Sequence, residues 1–328
     1  MAKIKFAQLS TAMKKLRKIH EIKGKMFLLE MEASEDYRDY SKYEELRYEI
    51  WADPKDTLPG PRNMWCENFI HEGSSLFIAV YAADKEGCFR KTKENLVGFS
   101  YGFVGVKNKE IGFRRSSNLQ FYSQYTGVKP DFEHYGLGVM IKEFQRKMLI
   151  EVFGIYTVIN TYDPLTGVNA YRNIHHFGME VVDYREALYG DFGGLLNRVD
   201  IPCDRFIVRW DLKKKIQRPD YDLESLIESG QLAVEATLEE VKGRKGVVKL
   251  EVIKKVNLSL REEFLLVEIP YDFYYMLQET DVIEVAVRNI PLEWRLKTRK
   301  VFMDLFRRNY KIIDFRQVEE GQRRRDFY

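Results

Sequence analysis

This sequence predicts an α/β (α+β) fold: a mixed central sheet flanked by helices, with a second, smaller α/β subdomain. Three observations predict it. Runs rich in β-branched and aromatic residues alternate with runs of helical period along much of the chain. One junction, at 119–152, joins a strand-like run to a helix-like run through a loop carrying Gly136 and Gly138. A charged stretch at 213–222 (KKKIQRPDYD) then breaks the pattern, and strands and a long helix resume beyond it.

The elements follow in order. Over residues 1–25, Leu9, Met13, Leu16 and Ile19 recur at helical spacing between basic residues, which predicts a solvated amphipathic helix. That segment lacks the uninterrupted apolar core of a signal peptide. Residues 25–33 (KMFLLEMEA) read as a strand and 36–51 as a helix. Two β runs, 75–83 and 95–106, flank a polar loop at 84–94, the pattern of a hairpin. The strand at 119–128 leads through the glycine loop to a helix at 137–152. There Leu137, Ile141, Phe144, Met148 and Val152 form one stripe, and Gly154 ends it. Residues 155–161 (IYTVINT) carry too few charges to face water on both sides. A short helix at 169–177 closes on Gly178, and strands follow at 179–184 and 205–212. Past the break, strands are expected at 247–255 and 264–270. A helix is expected at 292–309 behind Pro291, then a strand at 310–318. The expected domains are therefore 1–25, 26–213 and 214–328.

Composition excludes several classes. With 45% hydrophobic and 31% charged residues among 328, the chain is neither disordered nor membrane-embedded. No apolar run reaches bilayer length, so no membrane partner is expected. A net charge of +3, from 53 basic and 50 acidic residues, argues against nucleic acid as the main partner. The basic runs at 213–215 and 323–325 also lack interleaved aromatic residues for stacking on bases. Cys66, Cys88 and Cys203 show neither metal-ligand spacing nor a disulfide framework, which fits a reducing cytoplasm. His175 and His176 point apart on a helix with no third ligand close by, so no metal is expected.

The glycine loop is the most informative motif. A helix N-terminus offers unpaired N–H groups and the positive end of a dipole, and glycine lets a phosphate approach the backbone. A nucleotide-like cofactor with a phosphate or pyrophosphate end is the implied ligand.

On these residues the chain resembles the GNAT superfamily of N-acetyltransferases. That family's loop, Arg/Gln-x-x-Gly-x-Gly/Ala, is matched by Glu133-His134-Tyr135-Gly136-Leu137-Gly138, after Val128-Lys129-Pro130. Within the superfamily the chain looks most like a two-part subfamily, through Tyr162-Asp163-Pro164-Leu165, Asn169-Ala170, Tyr189-Gly190 and Cys203-Asp204-Arg205 with Arg209-Trp210. The resemblance implies a CoA-dependent N-acyltransferase using acetyl-CoA, or another acyl-CoA such as succinyl-CoA. The acceptor would be the amine of a small molecule or amino acid, and homodimers are common among such enzymes. The resemblance places the cofactor along Thr126, Gly127 and Val128, then His134, Tyr135, Gly136, Leu137, Gly138 and Val139, with Asn169 and Asn173 further on. It sets the acceptor pocket between Trp51 and Gly73, making Asn63, Trp65 and Glu67, with Gln124, substrate-binding candidates.

Two positions depart from the family pattern. Glu133 stands where a basic or amide residue is usual, so compensating charge is expected from His134 or Lys142. Ile174 stands four residues before Gly178, where many members carry a proton-donating tyrosine. Tyr171, His175 and Tyr189 are the alternatives. Among candidate bases, Ser123 needs its own activator. Asp163, ahead of Pro164, reads equally as a general base or as a turn cap. The competing functional reading is a catalytically degenerate fold that binds acyl-CoA or a regulatory partner without turnover.

Overall fold

Lys23 and Gly24 both take positive φ (50° and 74°), the two-residue turn whose twist matches that of paired strands. They join β1 (Arg17–Ile22) to β2 (Lys25–Met31) as an antiparallel hairpin with Ile22 opposite Lys25. The helix expected over 1–25 is therefore corrected at its C-terminal end. Ile19 belongs to a strand, because Lys23-Gly24 supplies a turn that the helical spacing of the apolar residues conceals. Leu9, Met13 and Leu16 lie outside the described residues. The computed structural model describes residues 17–71, 73–190, 193–321 and 323–328.

Two compact units emerge, Met1–Ile159 with Asp211–Lys213, and Asn160–Trp210 with Lys214–Tyr328. This division falls inside a strand, whereas the change in composition falls at 213–222.

In the first unit β3 (Ser75–Ala82), β4 (Leu96–Val106), β5 (Leu119–Val128) and β6 (Thr157–Tyr162) continue the sheet in the order β1-β2-β3-β4-β5-β6. Neighbours are antiparallel up to β5, and β6 joins β5 in parallel. Two helices pack on this sheet, α1 (Ser41–Trp51) and α2 (Leu137–Met148). Tyr40, Tyr43, Leu46, Phe77, Phe99 and Tyr101 form the core beneath α1, each aromatic side chain contributing about 1.5–3 kcal/mol by burial. Lys42 of α1 reaches Glu32 at 2.7 Å, and the Tyr43 hydroxyl donates to the same carboxylate at 2.6 Å. Burial alone would push Glu32 up. The ammonium and the phenol outweigh it and hold the carboxyl below the usual range. The apolar stripe of α2 is buried at Leu137, Ile141, Phe144 and Met148 but not at Val152, which is exposed. A wider, π-type turn over Leu149–Phe153 rotates the face after Met148, so Leu149 is buried instead.

The second unit contains β7 (Glu180–Arg185), antiparallel to β8 (Arg205–Asp211). A second sheet runs β10-β9-β11-β13-β12, built from β9 (Leu232–Gly243), β10 (Gly246–Val256), β11 (Leu266–Ile269), β12 (Arg316–Glu320) and β13 (Arg323–Phe327). The long helix α3 (Ile290–Arg307) buries Trp294, Arg295, Thr298, Val301, Phe302 and Leu305. One expectation is corrected here. The strand over 310–318 forms a ladder only from Arg316; its earlier part supplies buried Phe315 and Asp314 as a connector. Strands β9 and β13 escape the sequence reading because charge-rich sequence masks their alternation. The basic run at 323–325 is a strand, and Arg323 and Arg325 grip buried Glu268 at 2.7 and 2.8 Å.

The same sheet carries a pH dependence. Burial raises Asp326 to about 6, with Arg324 and Gln317 only partly offsetting it, and raises Glu251 to about 7. Groups raised in the folded state stabilise fully below their unfolded values. That stability is lost as pH climbs through about 6 and 7. Asp326→Asn is expected to gain about 2 kcal/mol relative to the parent between pH 4 and pH 7.5. Melting curves at both pH values test it, and a pH-independent difference would refute the assignment.

Candidate functional site

The site starts with a bulge. Between β4 and β5 the register passes from Tyr101 opposite Tyr125 to Gly102 opposite Ser123, leaving Gln124 as the extra residue. A bulge bends its strand and sharpens the local twist. On the other edge, β5 pairs in parallel with β6 at Phe121–Val158 and Tyr122–Ile159. Past the bulge, Tyr125–Val128 keep their β4 partners, while Gln124 has none.

The next feature is the glycine loop. Pro130–Tyr135 makes a tight 3₁₀ turn, and Gly136 takes φ 69° and ψ 16° to enter α2. No side chain caps this helix, so its first N–H groups are offered outward. A Cβ at Gly136 would meet nothing within 4 Å, which leaves open space before the loop. Leu137 is fully buried and contributes only its main chain there, while Gly138 and Val139 are partly buried. His134 is exposed, and its ring lies 4.2 Å from that of Tyr135. Positive charge comes from an unexpected element, the β1–β2 hairpin. Lys23 Nζ donates to the His134 carbonyl at 3.0 Å, and Lys25 Nζ lies 5.2 Å from the Tyr135 ring centre. Lys142, only 2% exposed, donates to Ser123 Oγ at 2.7 Å beneath β5. Gln145 Nε2 donates to the same oxygen and to Ser100 Oγ, both at 3.1 Å. The sequence holds no signal for this cluster beyond polar residues on the buried stripe of α2.

That cluster defines Ser123. Its oxygen accepts from an ammonium and an amide, and a hydroxyl so engaged is a poor base. Thr126 touches Ser100 Oγ at 3.2 Å, and Gly127 faces α1, where a Cβ would come within 2.5 Å of the Trp51 ring. Gly127 is thus required by packing, and only its main chain is available to a ligand. On the acceptor side, Asn63 is exposed and Trp65 stacks on Phe69 at 5.9 Å. Glu67 accepts from the Tyr101 hydroxyl at 2.8 Å.

The remaining candidates belong to the second unit. Asp163 is 3% exposed, and Arg295 clamps both its oxygens, with Nη1 to Oδ1 at 2.8 Å. Oδ1 also accepts the Leu165 N–H at 2.9 Å, and its carbonyl accepts from Thr166. This is the geometry of a turn cap anchored by an ion pair. Tyr171 is exposed and stacks on His175 at 4.8 Å. His175 Nδ1 in turn pairs with Asp314 at 2.8 Å. The Tyr189 hydroxyl shares a 2.7 Å hydrogen bond with Thr161. Asn169 bridges Thr166 and Arg172, and Asn173 is fully buried. The one group of metal-type ligands found among the described residues, Asp84, Glu86 and Cys88, is largely exposed on the β3–β4 loop. Among these residues no helix is long and apolar enough to cross a membrane.

Comparison with known proteins gives likeness of fold at low identity. No family model matches the sequence, and neither does any curated protein. Similar solved structures include NAA60 of Arabidopsis thaliana in complex with a bisubstrate analogue, at 12% identity and a TM-score of 0.40, covering 56% of this chain and 98% of that one. Ribosomal-protein-S5-alanine acetyltransferase from Vibrio fischeri matches at 10% identity and a TM-score of 0.41, covering 60% and 98%. Spermidine N-acetyltransferase from Vibrio cholerae matches at 11% and 0.40, covering 59% and 98%.

Proposed function

We propose that this chain is a CoA-dependent N-acyltransferase, with residues 26–213 as its acyl-CoA-binding domain and a small amine or amino acid as acceptor. The observation that carries the reading is an uncapped, glycine-led helix directly after a strand bulged at Gln124. The two features supply what a phosphorylated thioester needs: main-chain groups beside the acyl group, and unpaired N–H donors for the pyrophosphate. When bound, acetyl-CoA or another acyl-CoA supplies the activated acyl group. The chain's own residues hold and orient. Backbone of Thr126–Val128 lines the acyl end, and the N–H groups of Leu137 and Gly138 face the phosphates. Lys23 and Lys25 offset the charge of Glu133. Glu67, fixed by Tyr101, is the carboxylate we assign to the acceptor amine. We place the protein in the cytoplasm, acting as a monomer or homodimer.

Melting temperature with CoA, acetyl-CoA and succinyl-CoA tests this directly. Ligand at ten times its dissociation constant is expected to raise the midpoint by about 3 °C or more. Gly136→Asp, which sets a carboxylate before the open donors, is expected to abolish the rise. No shift with any of the three would sink the proposal. The engagement of Ser123 by Lys142 and of Asp163 by Arg295 favours a second reading, a fold that binds acyl-CoA without turnover. Stabilisation without thiol release across a panel of amines would select it.

A further inference from the structure

The turn Gly167–Ala170 continues through Tyr171–His176 and sets Asn169, Arg172 and Asn173 at i, i+3 and i+4, neighbours on one face. Arg172 is held in place by a relay. Its Nη2 donates to Asn169 Oδ1 at 2.6 Å, Asn169 Nδ2 donates to Thr166 Oγ1 at 3.1 Å, and Thr166 Oγ1 donates to the Asp163 carbonyl at 2.7 Å. Asp163 is itself clamped by Arg295. This positions a guanidinium rigidly and leaves it without a carboxylate partner among the described residues. Among the described residues Arg172 is in no ion pair, and its buried Nε–H has no acceptor. Beside it, Asn173 is 0% exposed, and neither its Oδ1 nor its Nδ2 has a partner.

Buried polar groups in native proteins are nearly always hydrogen-bonded, and a desolvated cation is costly unless it is paired. A preorganised guanidinium next to an unsatisfied amide is a set of donors whose acceptor comes from elsewhere. The surroundings agree. The Tyr274 phenol is pushed up to about 12, chiefly by burial and then by Asp163, while Arg205 and Arg172 pull the other way. The region therefore holds more than one positive charge beside that ring.

We propose that Arg172 and Asn173 form a binding site for a ligand oxyanion, a carboxylate or a phosphate. The Nε–Nη edge of the guanidinium takes two oxygens side by side, and the Asn173 amide completes the shell. Arg172 is only partly buried as a residue, while its Nε and the Asn173 amide are enclosed, so an anion enters this site by displacing what covers them. The site does not depend on the acyl-transfer reading, since it would bind its anion whether or not the first unit binds CoA.

The test is thermal melting of the full chain in sodium acetate, sodium phosphate and sodium chloride at equal ionic strength. Acetate or phosphate is expected to raise the midpoint about 2–4 °C above chloride. Acetate alone would mark a carboxylate site, and phosphate alone a phosphate site. Arg172→Met is expected to remove the increment while melting no lower than the parent in chloride. Should that variant fail to fold, Arg172→Lys retains the charge but not the fork and is expected to lose most of the increment. No increment with either anion, or an increment that survives at Arg172→Met or Arg172→Lys, overturns the proposal.

Discussion

Arg295→Met is expected to destabilise the second unit by about 3–5 kcal/mol. Arg295 is fully buried and clamps Asp163 through both oxygens, so removing the guanidinium strands a carboxylate in the interior. The ion pair also stabilises the charged guanidinium. Burial works against the charged guanidinium, but Asp163 outweighs it and raises Arg295 above its ordinary value. Asp163→Asn is expected to cost a similar amount by stranding the cation. The double variant Asp163→Asn/Arg295→Met is expected to recover much of the loss, because a vanished pair leaves no orphaned charge. A denaturation cycle over the four proteins measures the coupling. The same cycle separates the two roles of Asp163. A general base would leave stability nearly intact at Asp163→Asn and remove turnover; an anchor would do the reverse.

Gly102→Ala is expected to cost about 3 kcal/mol in the first unit. A Cβ there would lie 2.3 Å from the Tyr122 carbonyl oxygen and 2.5 Å from the Phe121 ring. The first contact is backbone, so relief requires β4 and β5 to move apart beside the Gln124 bulge. That strand is the one proposed to line the acyl group, so the variant is also expected to weaken any stabilisation by CoA. Gly105→Ala serves as the control on the same strand, since its added Cβ meets nothing within 4 Å, and it is expected to change stability by less than about 0.5 kcal/mol. Equal melting of the two variants would show that the bulge tolerates the extra atom.

Much of the first unit is legible in the sequence. The strand at 119–128, the glycine turn and the buried stripe of α2 follow from local rules: β-branched runs, glycine where φ turns positive, and a 3.6-residue period. Such signals fail where charge and tertiary partners decide. Arg323 and Arg325 read only as a basic run until Glu268 is placed opposite them, and Ile19 looks helical until Lys23 and Gly24 fold the chain back. The candidate site divides the same way. The motif locates the loop at Gly136, but its charge compensation lies on a hairpin distant in sequence. No spacing rule could tell that Lys142 would hold Ser123 or that Arg295 would hold Asp163.

By itself the sequence determined the periodicities, the turn chemistry and the glycine-led helix, because these depend on neighbours along the chain. Only the tertiary structure decided which polar residues are already paired and which still lack a partner. That choice depends on contacts such as Asp163 with Arg295, 132 residues apart, and on the desolvation that makes an unpaired Arg172 informative.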